Sequence, residues 1–151
     1  MEKGGGTDML GVIFSIIAGM AMSIQGVMNT RLSEGVGTMW SNAFVQVTAA
    51  VLSLLALIFY RDGSISALGE TNKLYWFGGV FGLVITITVM LGIRSLSPTV
   101  SISIILISQL TVAALIDAFG LMGSEKVAFG WTKFAGLALM VGGVLLFKWQ
   151  K

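Results

Sequence analysis

Five apolar runs, each long enough to cross a lipid bilayer, occupy most of this 151-residue chain and leave only short connections between them. They cover residues 9–30, 40–60, 74–93, 99–119 and 127–147, and the only charged residues inside them are Asp117 in the fourth and Lys133 in the fifth. A hydrocarbon layer about 30 Å thick takes about 20 residues of helix. Five spans therefore consume about 100 residues, and no sizeable catalytic or binding domain fits in what remains of these residues. Charged residues make up 11% of the chain, against about 25% in an average soluble domain, which excludes an ordinary soluble globule.

Lipid offers no hydrogen-bonding partner to the backbone, so a spanning segment must be a helix or part of a closed barrel. Stretches such as Ser101 to Ile107 are rich in Ile, but the runs are long and do not alternate as barrel strands do. The expected fold is an all-α membrane protein of five transmembrane helices. Residues 1–8 read as a flexible Gly-rich segment, with Glu2 to Asp8 in part an appended tag, and residues 9–151 as a single five-helix domain. A secretory signal has an apolar core of about 7–15 residues and a small-residue cleavage site; the first run is longer and has no clear site of that kind. Trp40, Tyr60, Tyr75, Trp76, Trp131 and Trp149 are all the Trp and Tyr residues, and all fall at run ends, where the membrane–water interface favours them.

The chain has no Cys and no His, which removes disulfides, thiolate nucleophiles, imidazole chemistry and the commonest soft metal ligands. No cofactor or metal is expected. The formal charge of +2 arises from nine scattered Lys and Arg residues, so it marks membrane-flanking positions and not a nucleic-acid surface.

Side-chain amides in hydrocarbon need a partner or a wet cavity. Gln25 and Asn29 lie four apart on one face of the first span, and Asn42 and Gln46 do the same in the second. A short turn over residues 33–38 would join the two spans and bring the four amides to matched depths. Gln109 stands at the centre of the fourth span. These five residues are the candidate substrate-binding set, and the competing role for the first four is hydrogen-bonded glue between helices. Asp117, the acid within the spans, is the candidate for proton coupling, and its competing role is a boundary carboxylate paired with Lys126 or Lys133. Arg94 and Glu34, at span ends, are expected to snorkel or pair at the surface. Gly11, Ser15, Gly19 and Ser23 form a four-residue repeat on the first span that would allow close helix approach. Gly78 with Gly82, and Ala138 with Gly142, repeat that spacing.

The sequence resembles the YdcZ family of inner-membrane exporters, within the drug/metabolite transporter superfamily. The resemblance rests on Ser108-Gln109-Leu110, on Leu115-Ile116-Asp117-Ala118-Phe119-Gly120-Leu121 and on Gln25 and Asn29, and it covers residues 9–147. It implies export of a small molecule, a drug or metabolite, from the bacterial inner membrane. A more distant similarity reaches the small multidrug resistance transporters, which work as antiparallel dimers. Their first helix carries an essential carboxylate, whereas the comparable part of this chain offers Gln25.

No reactive constellation for an enzyme is visible, since an intramembrane serine protease wants a base near its Ser and an aspartyl protease two facing acids. A non-transporting structural or accessory membrane subunit is the alternative to a transporter. Five spans put Lys3, Arg61, Lys73, Lys126 and Lys133 on one side and Arg31, Arg94, Lys148 and Lys151 on the other. Five against four gives little instruction for orientation. With few helices to enclose a pathway, the chain is expected to be half of a ten-helix inverted-repeat transporter, completed by dimerisation and working by alternating access. The expected partners are membrane lipid, a small-molecule substrate and a second copy in antiparallel orientation, or a paired homologue forming a heterodimer; nucleic acid is not expected.

Overall fold

The computed structural model of the chain describes residues 5–60, 63–128 and 130–149. Five α-helices account for most of them: α1 (Gly5–Val36), α2 (Thr38–Phe59), α3 (Gly78–Leu96), α4 (Pro98–Phe119) and α5 (Trp131–Trp149). Each of the five helical segments is long and apolar enough to cross a membrane, the third counting the turn that leads into α3. No strand occurs among the described residues. The expected flexible segment falls partly on residues 1–4, which lie outside the described residues, as do Arg61, Asp62, Phe129, Gln150 and Lys151; α1 is already helical at Gly5.

Three of the differences between the helix limits and the apolar runs have a local cause. First, α1 does not stop before Arg31 but continues to Val36, and the expected six-residue turn shrinks to Gly37 alone. An Arg31–Glu34 ion pair of 3.1 Å, three residues apart, carries the helix through the charged stretch. Gly37 then takes φ 87° and ψ 154°, a backbone that a residue with a β-carbon rarely adopts.

Second, the third span opens with a 3₁₀ turn over Lys73–Phe77 before α3 begins at Gly78. The Asn72 side chain accepts the Leu74 N–H at 3.0 Å and starts that turn. Third, α5 starts at Trp131 and not near Val127. The Val127 N–H donates to the Asp117 carbonyl at 2.9 Å, which ties this stretch back to the end of α4 and withholds it from the helix.

Between α3 and α4 the connection is again a single residue, Ser97, at φ 121° and ψ 157°, followed by Pro98 at the start of α4. Proline bars the preceding residue from helical geometry and costs nothing at the first helical position, where its missing donor has no partner to lose.

The chain divides into two compact units, residues 1–94 and 95–151. In the first, α1 packs on α2, and every buried residue lies near the Gly37 end: Gly26, Asn29, Thr30 and Ser33 on α1, Ser41 and Asn42 on α2, Met90 and Ile93 on α3. Residues 9–22 of α1 and 47–59 of α2 are exposed throughout. In the second unit, α4 packs on α5.

Gly26 lies against side chains of α3, since a β-carbon there would stand 3.1 Å from both Ile93 Cδ1 and Val89 Cγ1. The expected small-residue ridge makes no such contact. Nothing lies within 4 Å of where a β-carbon would sit on Gly11 or Gly19, and the Ser15 and Ser23 hydroxyls donate to the Gly11 and Gly19 carbonyls of their own helix. Gly78 and Gly142 are likewise open.

Candidate functional site

The buried end of the first unit is polar. Asn29, Thr30, Ser33, Ser41 and Asn42 are all less than a tenth exposed, and Met90 and Ile93 of α3 close over them. Ser41 is fully buried; its hydroxyl donates to the Asn29 carbonyl at 3.2 Å, with the Met90 sulfur a second acceptor at 3.5 Å. This bond pairs Asn29 with the Ser41–Asn42 step. By helical periodicity Gln25 and Gln46 then come four residues further from Gly37, one turn deeper.

Side by side, the four amides differ in environment. Asn29 and Asn42 are buried, Gln46 is half-buried and Gln25 is exposed. Gln46 approaches α3, its Nε2 lying 3.8 Å from where a β-carbon on Gly82 would be. The hydrogen bond that crosses from α1 to α2 belongs to Ser41, and none of the four amide side chains takes part in one among the described residues.

Asn42 Oδ1 is wholly buried without a donor, the one such side-chain atom among the described residues. An unmatched buried acceptor costs about 1–3 kcal/mol, and in lipid water does not relieve it. A molecule entering between α1, α2 and α3 with an N–H or O–H group would find an acceptor already stripped of water.

At the rim of this cluster α3 contributes Arg94, which donates from Nη2 to Ser33 Oγ at 2.6 Å. Ser33 Oγ in turn donates to the Thr30 carbonyl at 2.7 Å. Arg94 is exposed, as a residue at a span end is expected to be, and one arm of its guanidinium reaches α1; Glu34 pairs at the surface, with Arg31. The Thr86 and Thr88 hydroxyls donate to the Gly82 and Val84 carbonyls of the preceding turn and are self-satisfied.

Gln109 and Asp117 belong to the second unit. Gln109 is exposed on α4. Asp117 sits half-buried in the last turn of α4, just before Gly120 caps the helix, and lines a cleft of about 300 Å³ between α4 and α5. Lys133 lines the same cleft; the remaining walls, Leu110, Ala113, Ala114, Gly136, Leu137 and Met140, are apolar or small. Among the described residues no three His, Cys, Asp or Glu side chains converge as a metal site would require.

A model of the family described as "Putative inner membrane exporter, YdcZ" matches residues 10–146, which is nearly the whole chain. The chain belongs to the YdcZ family. That membership accords with five helices long and apolar enough to cross a membrane. No curated protein and no solved structure matches the chain.

Sequence reasoning singled out Asn29 and Asn42 but passed over Ser41, Ser33, Thr30, Met90 and Gly26. The missing signal was register. Four residues either side of Gly37 stand Ser33 and Ser41, whose hydroxyls are ordinary in a membrane helix and become central only when α3 is laid against them.

Proposed function

We propose that the protein exports a small molecule, a drug or metabolite, by alternating access in an antiparallel dimer. The observation that carries this reading is the orphaned Asn42 carbonyl oxygen inside a polar cluster made by three membrane helices. A purely structural cluster would be expected to satisfy its own acceptors, whereas a site that alternates between bound and empty forms leaves one for its ligand. Gln25, Asn29, Asn42, Gln46 and Gln109 supply the donors and acceptors of the substrate site, and Asp117 is the proton-coupling group. Five helices are few to enclose a pathway, and the near balance of Lys and Arg across the two sides favours insertion in both orientations. The open ridge of Gly11 and Gly19 is a surface on which a second copy can approach.

The test is counterflow in proteoliposomes, on compounds first selected by thermal shift with the purified protein, since a ligand of the folded state raises apparent stability. Wild-type protein moves at least one stabilising compound, and Gln25→Leu abolishes that movement while the protein stays folded, because Gln25 is exposed and its side chain makes no hydrogen bond among the described residues. Absence of flux for every stabilising compound would instead identify an accessory subunit.

A further inference from the structure

Arg31 and Arg94 stand near the same end of the first unit and are treated differently. Arg31 is neutralised by Glu34, whose two carboxylate oxygens lie 3.1 and 3.3 Å from its Nη1. No carboxylate among the described residues comes within ion-pair reach of Arg94. Arg94 is exposed, as a snorkelling arginine is, yet one of its N–H groups reaches across to the hydroxyl of Ser33, a residue only 2% exposed. Ser33 donates its own proton to Thr30, so its lone pair is fixed toward the guanidinium. The result is a permanently charged group, pre-positioned by a buried tether, with one of five N–H donors committed and an exposed face left over. A guanidinium matches carboxylate and phosphate oxygens in a two-pronged geometry, and a charge held at the edge of lipid without a counter-ion is costly.

We propose that Arg94, held by Ser33, binds an anionic oxygen, a carboxylate or a phosphate, at the junction of α1 and α3. Where that oxygen belongs to the transported molecule, the exported class is small organic acids, and this part rests on the transport reading above. The other source of the same chemistry is a phospholipid headgroup.

The experiment measures thermal unfolding of the purified protein in dodecyl maltoside micelles, which contain no phosphate. In one arm acetate or inorganic phosphate is titrated against chloride at constant ionic strength; in the other, phosphatidylglycerol is added to the micelles. Wild-type protein shows a saturable rise in unfolding temperature in the first arm. Arg94→Gln loses that rise, Arg94→Lys keeps part of it, Ser33→Ala shifts it to at least several-fold higher anion concentration, and Arg31→Gln leaves it unchanged.

A rise confined to the phosphatidylglycerol arm and dependent on Arg94 assigns the site to lipid and overturns the organic-acid part. Equal responses of wild type, Arg94→Lys and Ser33→Ala in both arms overturn the site altogether, and those two variants carry the decision if Arg94→Gln does not fold. Because no flux is measured, an anion site in a protein that transports nothing defeats only the transport reading. Flux without any anion effect defeats only this one.

Discussion

The Ser41 hydroxyl donates to the backbone carbonyl of Asn29, 3.2 Å away and twelve residues earlier in the chain. It is the hydrogen bond by which α2 holds α1 beyond their one-residue connection, and it is sealed by Met90 of α3. Ser41→Ala therefore lowers stability by about 1 kcal/mol, the ordinary net worth of one such bond. Reversible unfolding in mixed micelles checks this; an unchanged midpoint would show that the register of α1 and α2 is held by packing alone.

Asn42 is expected to behave in the opposite way. Its buried carbonyl oxygen has no donor, so Asn42→Leu, of similar volume, leaves stability unchanged or raises it, by up to about 1–3 kcal/mol. Counterflow by the same variant falls to background if Asn42 serves a ligand. A clear loss of stability instead would mean that the oxygen is satisfied in the membrane by a group of the protein.

The contact at Gly26 leaves no room for a large side chain. Gly26→Leu costs about 1–3 kcal/mol by overpacking against Val89 and Ile93, whereas Gly19→Leu, with open space around it, changes monomer stability little. If Gly19→Leu proves the more damaging in a dimer-forming preparation, the ridge on α1 is a subunit contact.

The membrane map is checked by single-cysteine labelling, which is clean because the chain has no Cys. Leu54, Leu83 and Val141, within helices, resist an aqueous thiol reagent, and Gly63 and Ser124, between them, react. Loss of reactivity at both loop positions would overturn the map.

Dual insertion predicts that reporters fused to the carboxyl terminus give comparable signals on both sides of the membrane. One dominant orientation eliminates the antiparallel homodimer and leaves a parallel dimer or a partner protein of opposite bias.

Much of the architecture is legible without coordinates, because lipid imposes it. A run of about 20 apolar residues has no alternative in a bilayer but to satisfy its own backbone as a helix, so the existence of five spans follows from residues 9–147 alone. Interfacial aromatics mark the ends for a similar reason: Trp40 lies in the first turn of α2, Tyr60 follows its last residue, and Trp131 and Trp149 bound α5. The ends themselves were less legible. Hydropathy registers Arg31 and Glu34 as a break, while their mutual pairing keeps α1 helical to Val36.

The family and the five helices, then, were written in composition and local order, which depend on each residue's own preference for lipid or water. Which polar residues meet was decided only by tertiary structure. Gly37 reverses the chain in one residue and brings Ser41 under Asn29, and α3 returns to bury Ser41 under Met90, 49 residues later in the chain, and to set Arg94 against Ser33, 61 residues earlier. The physical reason is that a hydroxyl or amide has no fixed cost in a membrane helix. Ser23 spends its hydrogen bond on its own helix and Ser41 spends its on another, and nothing in the local sequence distinguishes the two until helix packing determines which carbonyl lies within reach.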